Sequence, residues 1–96
     1  MSPQNKKKLN SLRKKLDVLD NELIDIIKKR TKIVKEVLNL KEFKNQIIDK
    51  KRIQKILKNI KKKSILNNID PKITKRIWKN MIWSYIDFEK RNFKKK

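Results

Sequence analysis

Residues 9–43 read LNSLRKKLDVLDNELIDIIKKRTKIVKEVLNLKEF, and this stretch decides the fold. It contains no Pro or Gly, and its apolar residues recur every three or four positions, as on one face of an α-helix. A helix of about 35 residues extends about 50 Å, whereas a compact monomer of this length is about 26 Å across. We therefore expect a second copy of the chain to cover the apolar stripe, which comprises Leu12, Leu16, Leu19, Leu23, Ile26, Ile33, Val37 and Leu40.

Two shorter helices are predicted after this one. A polar break at residues 44–46 leads to Asp49, a suitable N-cap for a helix ending near Lys62. A connector at residues 67–68 precedes Asp70-Pro71, which combines a cap with Pro at the first helical position. No segment has the alternation of a strand, so the predicted class is all-α with three helices. The inward residues of the second helix are predicted to be Ile53, Ile56, Leu57 and Ile60. The third helix carries a broad apolar face formed by Ile73, Ile77, Trp78, Met81, Ile82, Tyr85 and Phe88.

The composition excludes several classes of chemistry. The 96 residues include no Cys, His or Gly. The chain therefore lacks a thiol nucleophile, the commonest general base and the commonest metal ligand, and it has no Gly-rich phosphate loop. No apolar run approaches the roughly 20 residues of a membrane span, and no signal-peptide core follows the basic start. We expect a cytoplasmic protein without a metal, a cofactor or a membrane partner.

The net charge of +20 has two interpretations. One is binding to nucleic acid or an anionic surface. The other is a biased amino-acid supply, since Lys, Asn and Ile are abundant while Ala and Gly are absent. Lys occurs along every segment and is not concentrated on one recognition helix. This distribution favours the second interpretation, with some salt-sensitive adhesion to polyanions and no specific nucleic-acid partner.

Arginine is rare, and its placement indicates a ligand. Five of the thirty basic residues are Arg. The planar guanidinium grips a carboxylate through two parallel hydrogen bonds, whereas Lys is a mobile point charge. Arg30 lies on the apolar stripe, Arg52 begins the second helix, and Arg13 heads the first. We interpret these three residues as a set that binds carboxylates.

Other charged residues also lie near apolar faces. Lys41 follows Arg30 by eleven residues, or three helical turns, and so projects from nearly the same face. Glu89 follows Tyr85 by four residues, beside the inner stripe of the third helix. An exposed Lys near a helix end and a structural salt bridge remain the alternatives for Lys41 and Glu89. Arg13 lies about 25 Å from Arg30 along a continuous helix, so a shared small ligand requires Arg13 from a partner chain.

The chain resembles the small all-helical chorismate mutases over residues 9–90. The opening signature of that family appears as Leu12-Arg13-Lys14-Lys15-Leu16-Asp17-Val18-Leu19-Asp20. The resemblance continues through Leu23, Arg30, Lys41, Asp49, Arg52, Asp70 and Glu89. It implies one domain at residues 9–90, between a basic disordered N-terminus at 1–8 and a basic tail at 91–96. It also implies an intertwined homodimer of three-helix protomers with two active sites.

The resemblance implies a cofactor-independent conversion of chorismate, a dianion, to prephenate in aromatic amino-acid biosynthesis. By the match, Arg30 and the partner's Arg13 hold the substrate carboxylates, and Arg52 adds positive charge there. Lys41 addresses the ether oxygen and a carboxylate. The match places Asp49 near the ring hydroxyl and Glu89 near the ether oxygen. Such a rearrangement needs no proton transfer, so the absence of His and Cys is no obstacle.

Two positions depart from the mutase pattern. Ile53 stands where mutases usually have Glu, and Tyr85 stands where they often have Ser. Both residues are more similar to the isochorismate pyruvate lyases of the same fold, which yield salicylate and pyruvate, whereas Asp49 favours the mutase. A third hypothesis is a basic helical module that binds nucleic acid. Its aromatic residues would be Trp78, Trp83 and Tyr85, although Trp78 and Tyr85 fit the apolar face of the third helix better.

Overall fold

A computed structural model describes residues 1–94 of the 96-residue chain. Helix α1 spans Pro3–Leu40, a short 3-10 helix spans Lys44–Gln46, α2 spans Lys50–Leu66 and α3 spans Pro71–Asn92. The described residues form no strand. The prediction of an all-α chain with one long and two shorter helices is thereby confirmed. Within residues 1–94, no helix combines the length and apolar character needed to cross a membrane.

The ends of α1 differ from the prediction. It begins at Pro3, six residues before the predicted start, so most of the segment expected to be disordered is helical. Pro suits the first turn of a helix, and the Ser2 hydroxyl accepts a hydrogen bond from the Asn5 N–H at 3.2 Å. The helix ends at Leu40, short of the predicted Phe43.

The later helices extend further than predicted. Helix α2 continues to Leu66, four residues beyond the expected end. Helix α3 continues to Asn92, so the predicted basic tail at residues 91–96 starts inside a helix. Lys95 and Lys96, the end of that tail, lie outside the described residues.

The two predicted helix starts are confirmed. The Asp49 carboxylate accepts a hydrogen bond from the Arg52 N–H at 3.0 Å, and the Asp70 carboxylate accepts one from the Lys72 N–H at 2.9 Å. Between α2 and α3, Asn68 adopts a left-handed backbone with φ 56°. Asn tolerates this conformation better than most residues, and here it takes the place that Gly often has after a helix.

The chain divides into two compact units, Met1–Ile33 and the remainder from Val34 onward. The first unit is helical from Pro3, and none of its residues is buried. Its apolar stripe faces solvent, with Leu12 55% exposed and Leu23 53% exposed. An amphipathic helix depends on packing of its apolar face for most of its stability in water. Burial of the apolar stripe would therefore stabilise this segment.

The second unit contains the hydrophobic core. Leu38, Ile47 and Ile86 are buried together, and the half-buried side chains of Ile48, Ile53, Ile82 and Phe93 pack against them. Helices α2 and α3 pack on each other as an antiparallel hairpin, since only residues 67–70 connect them. The hydroxyls of Ser64 and Thr74 share a hydrogen bond of 2.6 Å between the two helices.

Within this second unit, the core is built on the side of α1 that carries Leu38, which is not part of the apolar stripe. Val37 and Leu40 are 42% and 81% exposed, whereas Leu38 is buried. The reason is that Ile47 and Ile86 pack on the side of the helix that carries Leu38. On α3, Ile73 and Ile77 are likewise more than half exposed. Other apolar side chains of α3, which face α2 and the core, are partly buried.

Candidate functional site

The centre of the candidate site is an ion pair between Lys41 and Glu89. The Lys41 Nζ atom donates a hydrogen bond to the Glu89 Oε1 atom at 3.0 Å. Both side chains are largely withdrawn from water, with 19% of Lys41 and 8% of Glu89 exposed. Burying a charge is costly unless it is paired, so these two residues stabilise each other in an otherwise unfavourable place. Two charged residues predicted from separate parts of the sequence are therefore brought together.

Lys41 differs in one respect from the prediction. The helix ends at Leu40, so Lys41 is the first residue after α1 and does not lie on a further helical turn. Its N–H donates to the carbonyl of Leu38 at 3.1 Å, which closes the end of the helix. The side chain is thus positioned by the helix terminus and by the neighbouring buried Leu38.

Gln46 orders the segment after Lys41, and the sequence reasoning did not single it out. Its Oε1 atom accepts hydrogen bonds from the N–H groups of Glu42 and Phe43 at 2.8 and 2.9 Å. These bonds fold residues 42–46 back on themselves, immediately before the buried Ile47. A Gln three residues after the start of a helical turn is the usual signal for such a cap, and Gln46 stands three residues after Phe43.

The residues predicted at the start of α2 are placed as follows. Asp49 and Arg52 are exposed in the first turn, where the Asp49 side chain caps the helix by accepting from the Arg52 backbone. One oxygen of the Asp49 carboxylate is thus engaged in capping. Ile53 is half-buried and packs against the core formed by Leu38, Ile47 and Ile86. It offers no hydrogen-bonding group at the position where mutases usually have Glu.

Helix α3 supplies Tyr85 and Glu89 from the same face, one turn apart. Tyr85 is half-buried, and Ile86 beside it is part of the core. Among the aromatic residues considered for nucleic-acid binding, Trp78 and Tyr85 are half-buried, in agreement with their predicted place on the apolar face. Trp83 is 52% exposed. Helix α3 therefore uses most of its aromatic surface for packing.

Arg13 and Arg30 belong to the unit Met1–Ile33. Both lie in the uninterrupted helix α1, and both side chains are exposed. Their separation of seventeen residues corresponds to about 25 Å of helix, so they cannot bind one small molecule from the same copy. Within residues 1–94, no group of His, Cys, Asp and Glu is arranged to hold a metal ion.

The Lys41–Glu89 pair can present hydrogen-bond donors to an oxygen of a bound molecule. An ammonium carries three N–H donors, and the bond to Glu89 occupies one donor of Lys41. Glu89 fixes the direction of the ammonium, which leaves donors for an oxygen of a bound molecule. A cation that is partly shielded from water interacts more strongly with negative charge developing on a bound molecule than a fully solvated cation does.

Comparison with known proteins identifies the family. A model of the family described as chorismate mutase type II matches residues 12–90. No curated protein and no solved structure gives a significant match. The matched range contains Arg13, Arg30, Lys41, Asp49, Arg52, Ile53, Tyr85 and Glu89, all the residues proposed for the site. This chain belongs to the chorismate mutase type II family.

Proposed function

We propose that the chain is a chorismate mutase, which rearranges chorismate to prephenate. The observation that carries the proposal is the partly buried Lys41–Glu89 ion pair. The family resemblance places both of these residues near the ether oxygen of chorismate. In this reaction a C–O bond breaks as a C–C bond forms within one molecule. No proton is transferred and no covalent enzyme intermediate forms, so the chemistry needs only positioned charge.

Lys41 has the central role in the proposed mechanism. Its ammonium donates to the ether oxygen as negative charge develops there, while Glu89 keeps it oriented. Arg30 and the partner subunit's Arg13 hold the two carboxylates, and Arg52 adds positive charge. Holding the flexible dianion in its compact reactive conformer supplies a large share of the rate enhancement.

A homodimer is part of the proposal. Much of the exposed apolar surface lies on the first unit of α1, where Leu12, Leu16, Leu19, Leu23 and Ile26 are each more than half exposed. A second copy that covers this stripe also supplies the Arg13 that one chain cannot.

Mixing two inactive variants tests the shared site. Arg13→Ala and Arg30→Ala should each lower kcat/KM for chorismate by about 100-fold or more, the usual effect of losing one preorganised charged donor. In a heterodimer of the two variants, one of the two sites regains both arginines. Random exchange of subunits should therefore restore about a quarter of the wild-type activity. Arg76→Ala, an exposed arginine of α3, is the matched control and should keep full activity.

The mixing experiment decides whether each active site contains residues of two chains. No recovery after unfolding and refolding the two variants together would contradict a site built from two chains. Absence of prephenate formation by the wild-type protein would contradict the mutase itself.

Isochorismate pyruvate lyase is the second candidate, and Ile53 favours it. A mutase accepts a hydrogen bond from the ring hydroxyl of chorismate near this position, but Ile53 is aliphatic and packs against the core. The lyase substrate carries its hydroxyl elsewhere on the ring and needs no acceptor there. Incubation with each substrate separately, followed by assays for prephenate, pyruvate and salicylate, distinguishes the two enzymes.

A further inference from the structure

Acidic residues are scarce in the α2–α3 hairpin, so the net positive charge is highest there although basic residues occur along the whole chain. Residues 50–86 contain twelve Lys and Arg residues, and Asp70 is the only acidic residue among them. The carboxylate of Asp70 is engaged as the N-cap of α3. Apart from this cap, the hairpin up to residue 86 has no acidic side chain to neutralise its lysines. Its local potential is therefore strongly positive.

A cleft of about 390 Å³ lies between the two helices of this hairpin. Leu57 and Pro71 form its apolar part, Lys58 and Lys61 line it from α2, and Lys72 and Lys75 line it from α3. None of the described residues that line the cleft is acidic. Lys55 and Lys79 continue the two rows of lysines by about one helical turn, and both are exposed.

The cleft is separate from the apolar surface that a second copy would cover. Ile73 and Ile77 are the exposed apolar residues of α3 in this region, at 56% and 52%. Lys75 lies two residues from each of them, which turns its side chain about 200° away around the helix. A partner that covers Ile73 and Ile77 therefore leaves Lys75 in water.

We propose that this cleft is a binding site for the phosphate backbone of single-stranded nucleic acid. The axes of two packed helices are about 8–10 Å apart. The lysine rows on these antiparallel helices can therefore flank one extended nucleic-acid strand from both sides. Consecutive lysines in each row, three or four residues apart, are about 5–6 Å apart. Among residues 1–94, those that line the cleft include no aromatic side chain on which a base could stack. Binding is therefore independent of sequence and arises from release of counterions.

The salt dependence of binding gives a quantitative test. Each phosphate neutralised on a single strand contributes about 0.7 to the slope of log K against log salt concentration. The four lysines of the cleft should contribute about 2.8, or about a fifty-fold loss of affinity for a fourfold rise in salt. The probe is a fluorescent oligothymidylate of about 12 nucleotides, a length suited to a single binding site.

The test compares two variants with the same net charge. In the first, Lys58, Lys61, Lys72 and Lys75 are replaced by Gln; in the control, Lys6, Lys7, Lys8 and Lys15 of α1 are replaced by Gln. Both sets are exposed. The cleft variant should lose most of the slope, and the control should keep it. Both should retain the helical circular dichroism and chorismate turnover of the wild type, because neither set belongs to the proposed active site.

Two results would overturn the proposal. Equal slopes for the two variants would mean that binding follows total charge and has no fixed place. Displacement of the oligonucleotide by inorganic tripolyphosphate at equal total phosphate concentration would identify the cleft as a site for small anions. Neither result bears on the mutase, because prephenate formation is measured independently.

Discussion

Replacing Lys41 by Met should destabilise the protein far more than an ordinary loss of a surface charge. Glu89 is 8% exposed in its side chain and accepts from Lys41 at 3.0 Å. Without the ammonium, a withdrawn carboxylate loses its charged partner, a change that costs about 3–5 kcal/mol in fully buried pairs. Because Lys41 itself is 19% exposed, some water can reach the carboxylate. We therefore expect a loss of about 3 kcal/mol in the free energy of unfolding.

A double-mutant cycle isolates the interaction between the two side chains. Glu89→Gln keeps an oxygen facing Lys41, so we expect a smaller loss of about 1 kcal/mol. In the double variant neither charge remains, and its loss should be smaller than the sum of the two single losses by about 2 kcal/mol. Urea unfolding measures these values at one fixed protomer concentration, since assembly contributes to the apparent stability.

The chain provides an internal control for this cycle. Arg91 donates to Asp87 at 2.9 Å across one turn of α3, but the two side chains are 65% and 68% exposed. Arg91→Met and Asp87→Asn should show a coupling of at most about 0.5 kcal/mol, as exposed helical pairs do. A coupling between Lys41 and Glu89 no larger than this value would refute the argument from burial.

Three further predictions concern activity, capping and assembly. Lys41→Ala should lower kcat/KM for chorismate by about 100-fold or more, because it removes the ammonium that is proposed to face the ether oxygen; full activity of this variant would count against that role. Asp49→Ala should lower the free energy of unfolding by about 1 kcal/mol in urea titrations. Asp49→Asn should lower it little, because Asn can still cap α2. Equal losses for the two variants would show that the side-chain cap does not stabilise the helix. Leu23→Lys should dissociate the dimer in light scattering while Asn21→Lys, about 200° away on α1, should not.

The helices were predictable because their signals are local. The spacing of apolar residues in residues 9–43 and the caps at Asp49 and Asp70 each act within a few residues. The start of α1 was missed because the Ser2–Pro3 signal precedes a run of lysines rather than apolar residues. The end of α2 was predicted four residues too early, although the connector at residues 67–68 that follows the helix was identified.

The ion pair was only partly predictable. Lys41 and Glu89 were each candidates from their positions, but their bond joins residues 48 positions apart and depends on the packing of Leu38, Ile47 and Ile86. Leu38 lies outside the apolar stripe of α1, so the repeat of three and four residues did not indicate that Ile47 and Ile86 would bury it. The roles of Arg13 and Arg30 remain predictions, because they require a second copy of the chain.

The solvent-facing start of α1 has a consequence for how the protein responds to dilution. In one copy, the amides of residues 7–33 are protected only by hydrogen bonds along the helix, whereas the region around Ile86 is covered by neighbouring side chains. If the proposed dimer forms, deuterium should therefore enter the first region faster as the protein concentration falls below the dissociation constant of that dimer. Exchange around Ile86 should change less. A single dilution series would therefore show how much each half of the chain is protected by a second copy.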